Sequence, residues 1–361
     1  MFYHLLYPLV EYHAIFNIFR YITFRAAYAT VTALLISFIL GPRLIAYLKR
    51  LQVVEMVRVD VPERHHVKRG TPTMGGLLII ISTVIPTLLW ADLTVGHIRL
   101  VLLATLWMGA IGAWDDYLKS IRKSNAGLIG RYKLVGQIGL GLLLGVILTR
   151  FPMQEGIVTT TTVPFFKGVY FDLGPFYIPF IILVITGTSN AVNLTDGLDG
   201  LAIGICAFTA FAFAGFAYLH GHALFSHYLQ IVSIPGSGEL TVFCMSLVGA
   251  SMGFLWYNAH KADVFMGDTG SLSIGGALAT LAILLKSELI LFIVGGVFVL
   301  EALSVIIQVF SFRLRGKRVF LMAPLHHHFE LKGWNESKIV TRFYIIAAIC
   351  ALIGLSTLKI R

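Results

Sequence analysis

Five aspartates stand in three short polar stretches of an otherwise apolar chain: Asp115 and Asp116 in GAIGAWDDY, Asp196 and Asp199 in NLTDGLDG, and Asp268 in MGDTGS. Carboxylates crowded at a partly dry interface repel one another by about 4 kcal/mol for a pair at 4 Å and intermediate dielectric, so such a group needs a cation. Hard oxygen ligands that leave positions for water and phosphate suit Mg²⁺. The glycines of TDGLDG and MGDTGS permit tight turns and let a ligand approach backbone amides at helix starts. Lys68, Arg69, Lys119, Arg122, Lys123, Arg131 and Lys133 supply cations nearby. One or two of these can hold a diphosphate or a phosphorylated lipid, and the rest serve as topology determinants or partners of anionic head groups.

His326, His327 and His328 follow in PLHHHFELKGW. Adjacent histidines cannot all face one way on a regular helix, so one or two polarising a phosphate fit better than a tris-histidine zinc site. Taken singly, each aspartate reads equally well as a helix N-cap. Five of them in three loops of one membrane face shift the balance to a site. A calcium loop is excluded because DGLDG lacks alternating acidic ligands.

The elements that must position these groups are membrane helices. The chain has 361 residues, 57% hydrophobic and only 13% charged, well beyond a soluble domain. Its apolar runs have the length a helix needs to cross about 30 Å of hydrocarbon, and barrel-like alternation is absent. Helices, which satisfy their own backbone, are the remaining way to span. The expected architecture is all-α and polytopic, one integral domain over residues 1–361. Ten spans are expected near 22–40, 75–91, 98–114, 135–149, 175–189, 201–219, 240–256, 272–286, 289–310 and 342–358. The first 21 residues lack a signal peptide's basic start and cleavage site and read as an interfacial lead-in. Cys206, Cys244 and Cys350 lie in apolar runs without ligand spacing and read as small core residues. Arg25 and Glu301 lie within spans, where an ionisable group is costly and so a functional candidate.

The net charge of +10 would suit nucleic acid if it were spread over one surface. Instead, 20 of the 28 Lys and Arg residues fall in the loops after spans 1, 3, 5, 7 and 9. The positive-inside rule puts those loops in the cytoplasm and both termini in the periplasm. The same parity brings every acidic and histidine motif to the cytoplasmic face. An ion-coupled transporter would place its key residues near mid-membrane in broken helices. An intramembrane aspartyl protease would need Gly where Phe265 stands in FMGDTG.

In order along the chain, KRGTPTMGG, WDDYLK, NAVNLTDGLDGLA, GFLWYNAHKADVFMGDTGS and PLHHHFELKGW resemble the phospho-N-acetylmuramoyl-pentapeptide transferase family. That family belongs to the polyprenyl-phosphate N-acetylhexosamine-1-phosphate transferase superfamily. Several of these motifs are shared with relatives that use other nucleotide sugars, UDP-N-acetylglucosamine being the runner-up donor; PLHHHFELKGW is the most particular. The resemblance implies a bacterial inner-membrane enzyme joining UDP-N-acetylmuramoyl-pentapeptide to undecaprenyl phosphate, giving lipid I and UMP in peptidoglycan synthesis. It further implies Asp268 as the Mg²⁺ ligand, Asp115 and Asp116 as a catalytic pair, and His326, His327 and His328 as the family's triple-histidine motif. Lys68, Asn190, Asn193, Asp196, Asp199, Asn258 and Phe265 are expected to shape the nucleotide-sugar pocket, with Phe265 against uracil. Lys119, Lys123 and Arg131 are expected basic contacts. Oligomeric state stays open, a homodimer among the options.

Overall fold

The computed structural model of the chain describes residues 1–51, 70–120, 122, 128, 130–153, 156–166 and 168–359. Fourteen α-helices account for most of these residues: α1 (Phe2–Leu6), α2 (Ile22–Arg50), α3 (Gly76–Trp90), α4 (Gly96–Ser120), α5 (Gly130–Arg150), α6 (Tyr177–Thr195), α7 (Leu201–Gly221), α8 (Ala223–Leu229), α9 (Leu240–Asn258), α10 (Gly267–Leu284), α11 (Glu288–Val294), α12 (Gly296–Arg315), α13 (Leu325–Leu331) and α14 (Glu336–Ser356). Among the described residues, eight helices are long and apolar enough to cross a membrane: α2, α4, α5, α6 with its preceding turn, α7, α9 with its preceding turn, α12 and α14. The protein is an all-α integral membrane protein. The other expected spans also form helices, but α3 is only 15 residues long and α10 spends its first turn on the polar GDTGS.

The span expected at 289–310 is not one helix. It breaks at Gly295 into α11 and α12. A Cβ on the neighbouring Gly296 would lie 2.9 Å from the Cys350 sulfur of α14, so the glycines both weaken the helix and admit a close neighbour.

The arrangement centres on α10. From Thr269 to Leu284 every residue of this helix is buried, as expected of a helix that is apolar or small all round. Its neighbours α3 and α4 come very close: a Cβ on Gly76 would overlap the Gly270 backbone, and one on Gly112 would overlap the Asp268 carbonyl. Small residues at helix contacts let backbones approach where lipid gives no hydrophobic drive between helices. The result fixes the first turn of α10 against the last turn of α4.

The end of the bundle away from the aspartates is held by its own polar contacts. Arg25, a functional candidate in the sequence, forms two 2.6 Å bonds with Glu239 and donates to the Trp90 carbonyl, a structural ion pair. The N-terminal segment lies beside it, with the Met1 ammonium donating to Leu88 O and His4 paired with Asp92. None of its short helices buries a residue, and Phe2 and Phe19 pack on Trp90, in keeping with an interfacial aromatic belt. A two-stranded antiparallel hairpin, β1 (Thr160–Thr162) with β2 (Tyr170–Asp172), is clamped to the α10–α11 turn by Thr162 and Lys286.

Candidate active site

Asp115 and Asp116 are consecutive on α4 and therefore point to different sides of the helix. The structure gives them different work. Asp115, with no solvent exposure, accepts from the Leu128 amide at 2.7 Å and meets the ammonium groups of Lys119 at 2.5 Å and Lys133 at 2.8 Å. Asp116 faces α10. Its Oδ1 accepts from the Asp268 amide at 3.0 Å, and its Oδ2 from the Thr269 amide at 2.9 Å and the Thr269 hydroxyl at 2.6 Å. This is an N-cap supplied by another helix, and a carboxylate there also meets the positive end of the helix dipole. Gly267 has φ +70°, which lets the chain turn into α10, and a Cβ on it would press within 2.6 Å of that same carboxylate.

Asp268 completes the group. Its Oδ2 accepts from Lys119 at 3.1 Å and from Lys133. Its Oδ1 accepts from Asn193 Nδ2 at 2.9 Å, and Asn193 also reaches the Ser271 hydroxyl. Two ammonium ions thus bridge two carboxylates, Asp115 and Asp268. Oxygens of Asp115, Asp116 and Asp268 all lie within 4.8 Å of one another. The three carboxylates together could hold a metal ion, and Asp116 differs from the other two in that both its oxygens accept from α10.

The NLTDGLDG stretch leads from this group to a second one. Asn193 ends at the carboxylates, and Asp196 caps the C-terminus of α6. Asp199 accepts from the Ala262 amide at 3.2 Å and lies 3.6 Å from His260, while its own amide donates to Glu336 of α14 at 2.8 Å. Asn258 clamps two loops by accepting from the Gly200 amide and donating to the Val264 carbonyl. Asn190 donates to Gln137 of α5. Phe265 is half-buried and its backbone pairs with Pro72 and Gly75.

The three histidines separate, as the geometry of consecutive residues requires. His326 is wholly buried, 3.2 Å from Glu301. His327 is 2.7 Å from Glu330 on its own helix. His328 Nδ1 accepts from the Leu321 amide at 3.1 Å, and burial with the nearby Lys332 ammonium holds this imidazole below its ordinary range.

Of the expected contacts, Asp115, Asp116, Lys119, Asn193 and Asp268 meet directly. Arg131 is exposed and lies over Tyr132, making no contact with the carboxylates; Lys68 and Lys123 lie outside the described residues. The sequence alone does not single out Lys133 among its seven cations, nor Thr269, Gln137, His260 or Glu336. Lys133 stands three residues into α5, and only the crossing of α5 with α4 brings it to Asp115.

The family model described as glycosyl transferase family 4 matches residues 98–286, and a phospho-N-acetylmuramoyl-pentapeptide-transferase signature matches residues 68–80. Phospho-N-acetylmuramoyl-pentapeptide-transferases from Citrifermentans bemidjiense and a Geobacter species are each 55% identical to the chain over the full length of both proteins. The same-named protein of Syntrophus aciditrophicus is 54% identical over full length.

Proposed function

The chain belongs to the phospho-N-acetylmuramoyl-pentapeptide-transferase family, a group of glycosyl-1-phosphate transferases, and from that premise we propose how its site works. The donor is UDP-N-acetylmuramoyl-pentapeptide, the acceptor undecaprenyl phosphate, and the products lipid I and UMP. An acceptor phosphate oxygen forms a bond to the sugar-bearing phosphorus as the bond from that phosphorus to UMP breaks. A phosphomonoester with a second pKa near 6 is already mostly dianionic at neutral pH, so its attack needs alignment more than a strong base.

The observation that carries this reading is the pair Asp115–Asp268 bridged by Lys119 and Lys133. Asp115 and Asp268 would hold Mg²⁺, which neutralises charge on the donor diphosphate and on the departing UMP. Lys119, its side chain 38% exposed, is free to turn its ammonium to phosphate oxygens once a dication shares the carboxylates. Asp116 keeps Asp268 in place from behind. Asn190, Asn193, Asp196, Asp199, Asn258 and Phe265 form the floor that meets the nucleotide sugar, Phe265 as the stacking surface for uracil. The positive-inside count supports a cytoplasmic position for this end of the bundle, and membership of the family supports a bacterial inner membrane as its location.

An apolar groove of about 190 Å³ supports a lipid acceptor. It lies between α6 and the broken α11–α12 pair, lined by Leu183, Gly187 and Ala191 on one side and Phe292, Phe298 and Leu303 on the other. On α6 the same turns carry Asn190 and Asn193, so the groove leads along that helix toward the carboxylates. Bulky residues at Ala302 or Leu303 are expected to raise the acceptor KM.

The test is UMP release by purified, detergent-solubilised protein with undecaprenyl phosphate and Mg²⁺. Release with UDP-N-acetylmuramoyl-pentapeptide alone is the expected result. Release only with UDP-N-acetylglucosamine would replace the donor, and release with neither by folded protein would reject the reaction.

A further inference from the structure

Glu301 and His326 form a buried polar pair that the chemistry above does not use. Glu301 lies on α12 and His326 on α13, and neither exposes any surface. Glu301 Oε2 is 3.2 Å from His326 Nδ1, yet both carboxylate oxygens and both ring nitrogens lack a hydrogen bond of good geometry. A carboxylate held so deep is costly, and four such atoms in one place need a reason beyond packing.

The third participant supplies that reason. His326 Nε2 points at Gly197, so closely that a Cβ there would overlap the ring. Gly197 is the midpoint of the floor that carries Asn193, Asp196 and Asp199. On the far side, Glu301 is followed by Ala302 and Leu303, which line the apolar groove. The His327 ring packs on His326 with centroids 4.2 Å apart, closing off sideways movement. Glu301 therefore lies in a chain of contacts: groove wall, carboxylate, imidazole, floor.

We propose that Glu301 is a positioning residue: by orienting His326 against Gly197, it sets the height of the 193–200 floor and so the fit of the donor. The proposal rests on the transferase reading for the identity of the donor. It makes His326 a brace for the floor, with its Nδ1 turned away from the phosphates.

The experiment compares Glu301→Ala, Glu301→Gln, His326→Ala, the Glu301→Ala/His326→Ala double variant and Gly197→Ala in the full-length detergent-solubilised enzyme. Loss of an outer-shell partner is expected to raise the donor KM about tenfold while the acceptor KM stays within about twofold. Glu301→Gln, which keeps an acceptor oxygen, is expected to recover most of that loss. The double variant should be no worse than His326→Ala, because the two residues act as one unit. Gly197→Ala, which drives the ring off the floor with Glu301 intact, should reproduce the donor effect even where a Glu301 variant folds poorly. A rise in acceptor KM with unchanged donor KM, multiplying effects in the double variant, or a loss of thermal stability alone would each overturn the proposal. An inactive wild type would instead reject the transferase reading, and UMP affinity by calorimetry reads the floor without any turnover: unchanged affinity in Glu301→Ala and Gly197→Ala would reject the brace.

Discussion

Replacing Asp116 with Asn separates a capping carboxylate from a catalytic one. The wild-type side chain accepts three hydrogen bonds from the first turn of α10, from the amides of Asp268 and Thr269 and from the Thr269 hydroxyl. An asparagine has a single acceptor oxygen, and its amide nitrogen must face at least one of those donors. A buried donor left without an acceptor costs about 1–3 kcal/mol. Removing a negative charge from a helix N-terminus costs roughly a further 0.3–1 kcal/mol. The expected destabilisation is thus about 1.3–4 kcal/mol. It falls on the residue that holds Asp268, so a shift of about 1 Å in that carboxylate is expected to lower kcat on the order of 10²-fold. The assay pairs thermal unfolding in detergent with Mg²⁺ titration of UMP release. Asp116→Asn should unfold several degrees early and need more Mg²⁺, whereas Asp115→Asn, which touches no amide of α10, should lose turnover with a smaller change in stability. If Asp116→Asn unfolds at the wild-type temperature and still loses turnover, Asp116 acts on the reactants and the capping account is wrong.

Three further outcomes are expected. Asp268→Asn should abolish UMP release and weaken Mg²⁺ binding measured calorimetrically without donor; near-normal turnover with unchanged Mg²⁺ dependence would remove Asp268 from the metal site. Gly112→Ala should push α4 from α10, because its Cβ would meet the Asp268 carbonyl; overpacking of this kind costs about 1–3 kcal/mol, and a variant with wild-type stability and activity would show the contact to be loose. His328 has a depressed imidazole pKa, because burial and Lys332 disfavour its charged form. The unfolded chain therefore takes up that proton first, and the His328 contribution is fully present above the ordinary value of 6.5 and lost as pH falls through the folded one. Deuterium exchange at the Leu321 amide, corrected for intrinsic rate, should lose protection at a pH below 6.5 and be restored on return to neutrality; loss of protection already above 6.5, or no loss while the folded protein's His328 ring is seen to protonate by NMR, would contradict this.

Much of the protein was legible in the residue order because a bilayer imposes simple rules. Apolar runs had to become helices, since no other open structure satisfies its backbone in lipid. The alternation of basic loops required the aspartate and histidine motifs to share one end of the bundle, and the structure gathers them there. The same parity lets Asp268 and Asp115 converge on one site, and their side chains share Lys119 and Lys133.

Composition and charge order alone thus dictate an all-α membrane protein with its polar chemistry at one end. Tertiary structure decided what each polar residue does there, because roles follow from partners brought in by helix crossings. Asp115 and Asp116 are indistinguishable as letters, but the rotation of α4 gives one to the lysines and the other to the amides of α10. Three identical histidines diverge for the same reason, one buried on Glu301, one bound to Glu330 and one accepting from Leu321. Lys133 joins the carboxylates only because α5 crosses α4 at that height. Where the span at 289–310 breaks was likewise not written in its hydropathy, since Gly296 matters through the approach of Cys350 on α14 and Gly295 through the Leu291 carbonyl. Periodicity and charge count average over many residues and survive without coordinates; a hydrogen bond depends on one angle and one distance, which packing alone supplies.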